Sequence, residues 1–265
     1  MLKIAIIVAL PDEWQGLKRV TGPWRKVAAE PCRTYVYSSV EKRVTLIESG
    51  MGAEWVRQAL AELEQTELPD LILSCGFAGA LSDNNMVGQV CVGNRLVLRS
   101  PSPSMPAEAA FDLDLSPALL SFCRAQAVWP APIVTVEKPQ PKALMAQVAA
   151  GRDFLMDMES YFVGEFAHRL GIPLLCLRAV SDGSRDEIDF DLDAITDTQG
   201  RVSPLRVLRT VLRRPRLAGS FYRSWGRSRR ASQRLGEVLS AFLNLSPVRL
   251  RELLLESHLF ERKQT

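Results

Sequence analysis

A layered α/β protein built on a mixed, largely parallel sheet is the fold this sequence predicts, and three observations predict it. Short unbroken apolar runs recur, as in "LKIAIIVAL", with the pattern of strands buried on both faces. They alternate with amphipathic helical stretches, which is the arrangement of helices covering a sheet. Several runs also end on glycine, serine or acidic residues, and in open α/β sheets ligands sit beyond the carboxyl ends of the strands. The expected architecture is a three-layer α/β/α core over residues 1–185. Residues 186–265 then form an acidic loop and an arginine-rich helical extension that packs on or completes the same domain. At 265 residues, 47 % apolar and 24 % charged, the chain is long enough to bury such a sheet.

In order, the first strand gives way to Pro11, Asp12 and Glu13, a proline and two acids suited to a helix start. "RTYVYSS" and "RVTLIES" read as a hairpin around Val40 to Lys42. "SGMGAEWVRQALAEL" turns on two glycines into an amphipathic helix. "PDLILSCGFAGAL" reads as an apolar strand ending in a glycine-punctuated turn, and "VGQVCVGNRLVL" as another strand. Pro101, Pro103 and Pro106 mark an irregular loop, followed by a helix near Ser116 to Ala127. "APIVTVEK" is a strand, Pro141 to Ala150 a helix, and "DMESYFVGEFAHRLG" a helix closed by Gly171. Pro173 restarts the chain into the strand "LLCLRAVSD". The acidic stretch after Asp182 reads as an excursion with little regular structure. "SPLRVLRTVLRR" is a helix with Ser203 as N-cap and Pro204 in its first turn. A longer helix from about Leu217 to Leu243 presents Leu217, Phe221, Trp225, Leu235, Val238, Leu239 and Phe242, and a last helix follows Pro247.

Composition narrows the function classes. The five cysteines are scattered and mostly inside apolar segments, as reduced core residues of a cytoplasmic protein would be. Two histidines make a histidine metal centre or triad an unpromising reading, and no metal or organic cofactor is expected. No apolar run approaches the roughly 20 residues of a membrane-spanning helix, and the N-terminus reads as a strand rather than a signal peptide. The net charge of +3 hides an asymmetry: residues 198–236 carry 11 arginines and no acid, leaving −8 elsewhere.

Three acids stand at chemically useful places. Asp182 ends an apolar strand, Glu159 fronts a helix that packs on the sheet, and Glu13 opens the first helix. Each also has an ordinary explanation. Asp-Gly after a strand is a common turn, and acids in first helical turns answer the helix dipole. The glycines around Met51 by themselves indicate only a tight turn.

Taken together, "LKIAIIVALPDEW", "SGMGAE", "SCGFAGAL", "DMES" and "RAVSD" resemble, in order and spacing, the nucleoside phosphorylase and nucleosidase superfamily. The methylthioadenosine/S-adenosylhomocysteine nucleosidases are the nearest branch, and the resemblance covers about residues 1–185. It implies roles for named residues. Asp182 matches the general acid serving purine N7, with Ser181 orienting it. Glu159 matches the glutamate that binds ribose hydroxyls, with Met158 under the ribose. Glu13 matches the base that activates water, and Arg178 a residue lining the water site. Met51, Gly76 and Phe77 fall in the matched glycine turns that bind substrate. Ser74 stands where phosphorylases carry a phosphate-gripping arginine, which favours water as nucleophile. Phe77 departs from a serine usual in nucleosidases, and Val8 and Pro11 also differ from the usual first-strand ending. The superfamily's common dimers make a homodimer the expected state.

The arginine-rich end admits three readings: a solvated helix face, a nucleic-acid surface without a recognisable module, or an amphipathic surface for an anionic membrane. Its sequence resembles the C-terminal segment of the hopanoid-associated subgroup of the superfamily. That resemblance implies adenosylhopane as substrate, adenine and ribosylhopane as products, and attachment to the inner face of the cytoplasmic membrane, without nucleic acid as partner. Arg206, Arg209, Arg213, Arg214, Arg216 and Trp225 are then the expected membrane contacts. Other readings remain at this stage: a soluble methylthioadenosine/S-adenosylhomocysteine nucleosidase, a purine nucleoside phosphorylase, or a nucleoside-binding protein without catalysis.

Overall fold

The computed structural model describes residues 1–99, 109–138, 140–142, 144–145, 152–186, 195–197, 199–214, 216 and 218–258. The first part runs β1 (Leu2–Val8), α1 (Pro11–Val20), β2 (Arg25–Ala28), β3 (Arg33–Ser38), β4 (Lys42–Glu48), α2 (Ala53–Gln65) and β5 (Leu71–Ala80). There follow β6 (Val90–Arg99), β7 (Ala109–Asp112), α3 (Pro117–Ala125), β8 (Val128–Val136), β9 (Leu155–Asp157), α4 (Ser160–Leu170) and β10 (Leu174–Asp182). The C-terminal helices are α5 (Pro204–Arg213), α6 (Ala218–Leu243) and α7 (Pro247–His258).

The sheet runs β10-β6-β8-β9-β5-β1-β4-β3-β2, and β10 also pairs with β5. Strands β10, β6, β8, β9 and β5 therefore close on themselves, while β1 to β4 extend the sheet outward. The central β4–β1–β5–β10 and β6–β8–β9 neighbours are parallel. Antiparallel β3, β2 and β7 edge the sheet.

Alternation along β1 sorts the two covering layers, since successive side chains of a strand face opposite ways. Ile4, Ile6 and Val8 join Trp14 and Leu17 of α1, Leu119 of α3 and Leu235, Leu239 and Phe242 of α6. Ala5 and Ile7 join Val56, Leu60 and Leu63 of α2 with Phe162, Val163 and Phe166 of α4. The helices end where their chemistry says they should. Ser116 caps α3 by accepting from Leu119 N at 3.0 Å, and Gly171 closes α4 at φ 63°. Ser203 occupies the N-cap position of α5 as expected, but its side chain makes no capping hydrogen bond.

Three strands escaped the sequence reading. β2, β7 and β9 have three or four residues each, too short to show a period. The glycine-punctuated turn expected after "LILSC" is not a turn: β5 runs through Gly76 and Gly79 to Ala80. The proline loop and most of the helix expected over Pro141 to Ala150 lie outside the described residues, as does Leu217.

The C-terminal segment is joined to the first helix by backbone contact. A Cβ on Gly16 of α1 would lie 2.0 Å from the Ser232 carbonyl oxygen, and one on Gly236 of α6 2.2 Å from the Gly16 carbonyl carbon. Gly16 N donates to the Ser232 hydroxyl at 3.0 Å. The second half of α6 thus buttresses the helix that carries Glu13. The first half differs: Trp225, named with the apolar residues of this helix and also as an expected membrane contact, is 53 % exposed, and Tyr222 is also exposed.

Candidate active site

A cavity of about 680 Å³ opens at the ends of β1, β5 and β10, and Glu13, Glu159 and Asp182 all line it, with Asp12 and Asp157. Acids from opposite ends of the chain thus meet in one cleft, and Met51, Phe77, Met158 and Ser181 complete its wall.

Glu13 is the most firmly held. Its Oε2 accepts Ala9 N at 2.7 Å and Leu10 N at 2.9 Å, and its Oε1 accepts Phe77 N at 2.8 Å. The ordinary explanation and the chemical one coincide here, because the same carboxylate caps α1 and faces the cavity. Burial pushes its pKa up and the backbone donors pull it back only in part. Gly76 lies directly beneath: a Cβ there would be 2.7 Å from Glu13 Oε1. Gly76 is absent from the lining and serves by leaving room.

Asp182 sits where β10 loses register. Val180 pairs with Ala78 and Asp182 with Gly79, so two residues of β10 oppose one of β5. Such a bulge re-aims the side chain that follows it, and bulges are over-represented beside active sites. Ser181 Oγ donates to Asp182 Oδ1 at 2.6 Å, while Lys142 Nζ forms an ion pair with Oδ2.

Glu159 is the N-cap residue of α4 and accepts Gly52 N at 2.7 Å. Gly52 sits at φ 95°, a backbone conformation that side chains beyond glycine resist. Burial, with the carboxylates of Asp157 and Glu13 adding to it, pushes Glu159 up to about 8.

Arg178 is where the structure departs from expectation. It does not line the cavity but lies behind the wall, 2 % exposed. Its Nε donates to Asp157 Oδ2 at 2.7 Å and its Nη2 to the Ser74 hydroxyl at 3.0 Å. A guanidinium stays charged wherever it is, so Arg178 offsets the acids from below. Asp157 was overlooked in the sequence. It also accepts Thr135 Oγ1 at 2.7 Å and Ser160 N at 3.1 Å, and its acid-before-helix position in "DMES" was the available signal. Lys142 was overlooked too, since a lone lysine in a helical stretch has no signature.

A mixed sheet with helices on both faces, presenting acids at its strand ends to one cleft, is the frame of an enzyme with its site in that cleft. Residues 3–213 match the Phosphorylase superfamily, and the chain belongs to it. A 5′-methylthioadenosine/S-adenosylhomocysteine nucleosidase of Listeria welshimeri is 23 % identical over 236 residues, 79 % of this chain and all of that protein. Among solved structures, the Helicobacter pylori 5′-methylthioadenosine/S-adenosylhomocysteine nucleosidase superposes with a TM-score of 0.70. It is 15 % identical, with 92 % of this chain and 98 % of that one covered. The futalosine hydrolase of Helicobacter pylori gives 0.68 at 13 % identity, covering 92 % and 97 %. At such identities the superpositions speak for the fold.

Proposed function

We propose that this chain is a purine nucleosidase that hydrolyses the N-glycosidic bond of a 5′-substituted adenosine. The observation that carries the reading is the shared cavity of Glu13, Glu159 and Asp182, the first buried, the second half-buried with a raised pKa and the third beside a cation. Breaking a glycosidic bond leaves an oxocarbenium-like sugar and a base that must be protonated to depart, so one acid and one base on either side of the bond are the chemical requirement. Asp182 gives the proton to purine N7. Glu13, immobilised by three backbone donors, takes one from the attacking water, and burial, by raising its pKa, makes its ionised form the stronger base. Glu159 receives the ribose hydroxyls, and the cationic sugar favours its charged form. Met158 packs beneath the ribose.

Water rather than phosphate is the nucleophile in this reading. The cavity is lined by five acids against two lysines, Lys138 and Lys142, and, among the described residues, by no arginine. A phosphate dianion is repelled by that field.

For the 5′ substituent we propose adenosylhopane, with adenine and ribosylhopane as products. The support is the cavity's reach to Val202 and to Ser224 and Ser228 of α6, next to an exposed apolar and basic face. Leu205 is 78 % and Tyr222 74 % exposed there, among the exposed arginines 206, 209, 213, 214 and 216. Such a face suits an anionic membrane in which a lipid substrate is dissolved, at about 1 kcal/mol per basic residue near the headgroups. Arg206 also has an internal task, donating to the Thr196 carbonyl at 2.5 Å. No helix among the described residues is long and apolar enough to cross a membrane. A second reading, methylthioadenosine or S-adenosylhomocysteine as substrate, is favoured by the names of the curated relatives.

The test is adenine release, with and without phosphate, from adenosylhopane and from methylthioadenosine. Phosphate-independent release from the lipid nucleoside is the expected result. A requirement for phosphate overturns the water-activating role of Glu13, and release from methylthioadenosine alone overturns the lipid reading. Replacing Arg213, Arg214 and Arg216 together by glutamate is expected to weaken binding to anionic vesicles, and unchanged binding removes the membrane proposal.

A further inference from the structure

One buried cation in the cavity has no role in the chemistry above. Lys142 is 3 % exposed and lines the cavity beside Asp182. Its ammonium donates to the Gly183 carbonyl at 2.5 Å and pairs with Asp182 Oδ2. The other carboxyl oxygen, Oδ1, accepts the Ser181 hydroxyl at 2.6 Å. Oδ2 therefore faces a donor-only ammonium and must accept, while the Ser181 hydroxyl at Oδ1 can also turn its proton to the Ala78 carbonyl at 3.4 Å. Yet the departing base needs a proton from this group. The backbone is shaped around the pair: a Cβ on Gly79 would lie 2.8 Å from Asp182 Oδ2 and 3.2 Å from Lys142 Nζ. The neighbouring acid, Asp186, accepts Gly183 N at 2.9 Å and is paired by Arg227 of α6 at 2.8 Å. Among the other charged groups of the cavity, Glu13 is held by its backbone donors, Glu159 by Gly52 N, and Asp157 by Arg178. Lys138 and Asp12 also line the wall.

We propose that Lys142 is a positioning residue that stores the proton Asp182 delivers, so that the acid of this enzyme is the Lys142–Asp182 pair. The inference rests on the nucleosidase reading. As the bond from C1′ to N9 breaks, its electron pair leaves with the base. The proton moves from Lys142 Nζ to the Asp182 carboxyl, and from that carboxyl to N7. Water adds to C1′ and gives its proton to Glu13. Lys142 is left as a neutral amine beside a carboxylate and regains a proton from solvent. An ammonium can release a proton in a dry site, whereas a guanidinium cannot. This separates Lys142 from Arg178, which supplies charge alone.

The experiment compares two leaving groups. One substrate is whichever nucleoside, adenosylhopane or methylthioadenosine, the phosphate-free assay finds to be cleaved. The other is the riboside with the same 5′ group and 4-nitrophenol in place of adenine, which departs as an anion without protonation. The variants are Lys142→Met, of similar length, and Lys142→Arg, with folding of each verified by thermal melting. Both variants are expected to lower kcat for adenine release about 100-fold, within the usual range for general acid catalysis. Both should stay within about threefold of the parent on the nitrophenyl riboside, and KM should change little on either substrate. Equal losses on both substrates reduce Lys142 to a structural pair and overturn the proposal, as does an unchanged rate on both. Restoration of adenine release by Lys142→Arg shows that charge suffices and overturns the proton store. If the parent chain cleaves neither nucleoside, the nucleosidase reading itself fails, a result separable from the others.

Discussion

The two ends of the cavity hold their acids by opposite means. Glu13 is fixed by three backbone N–H groups, two from the turn between β1 and α1 and one from β5. Asp182 is fixed by two side chains, Ser181 and Lys142. Backbone donors cannot give up their protons, so the Glu13 end is a site of fixed geometry that can only accept. Side-chain donors can exchange theirs, so the Asp182 end can deliver. The pair of strand glycines underneath follows the same division: Gly76 makes room for Glu13, and Gly79 for Asp182 with its lysine. A base and an acid are thereby set apart by what surrounds them, although both are simple carboxyls.

The largest effect that this contrast predicts is at Asp182. Asp182→Asn keeps the Ser181 contact but cannot pass a proton to N7. Adenine release should fall by roughly 10³-fold or more, at the upper part of the range for general acid catalysis. Residual release above one tenth of the parent rate, measured in single turnover, breaks the assignment. Glu13→Gln should cost about 10²-fold and should also destabilise the fold. Its amide oxygen can take over the Ala9 and Leu10 donors, but the NH₂ then faces Phe77 N, a donor against a donor, at about 1–3 kcal/mol. Asp182→Asn turns an amide NH₂ toward the ammonium of Lys142, whose side chain is 4 % exposed, so its melting temperature should fall as well. An unchanged melting temperature for Asp182→Asn means that the lysine does not hold this end of the cavity.

The glycines sharpen it. Gly76→Ala drives a Cβ into a carboxylate that three backbone bonds prevent from moving, so kcat should drop about tenfold or more and the melting temperature with it. Gly79→Ala meets the Asp182 carboxylate at 2.8 Å and the flexible end of Lys142 at 3.0 Å, side chains held by one another and by Ser181, which can shift. It should lose activity on adenine substrates with a smaller change in melting temperature. Rates and melting curves of the two variants, read side by side, test whether backbone or side chain does the holding at each end.

Sequence patterns made the frame legible and the pairings obscure. β1, β5, β6, β8 and β10 carry apolar runs because most of their residues are buried, so composition marks them. Pro11, Ser116, Pro117 and Gly171 punctuate their helices with residues whose backbone preferences are local. The acids were legible for a similar reason, as charges placed in apolar surroundings at strand ends and helix starts. What could not be read depends on contacts distant along the chain. The glycines of β5 look like a turn until Glu13 and Asp182 are seen lying over them. Arg178 sits in a strand and looks like a wall residue, but strand alternation places it on the face of Cys176 and Val180, toward α4 and Asp157. Trp225 reads both with the apolar residues of its helix and as a membrane contact; it is 53 % exposed, while Ser224 and Ser228 on either side of it line the cavity.

Glu159 offers the finest test of what backbone donors do, because it is half-buried in the same cavity wall and receives one N–H where the buried Glu13 receives three. Burial and the nearby Asp157 and Glu13 carboxylates raise it to about 8 from an ordinary 4.5. Between those values the folded chain keeps a proton on Glu159 that the unfolded chain has released. Unfolding then liberates a proton, so the stability contributed by this group is present below pH 4.5 and is lost as pH rises through about 8. Glu159→Gln has no proton to lose. The melting temperature of the variant relative to the parent should therefore climb from pH 5 to pH 8.5, by roughly 5 °C for a chain of this size, and level off above. The same comparison with Glu13→Gln should give a shallower climb, since three backbone donors favour its charged form. Equal slopes for the two variants mean that backbone hydrogen bonds do not distinguish these carboxyls, and the contrast between the fixed and the exchangeable end of the cavity then loses its physical basis.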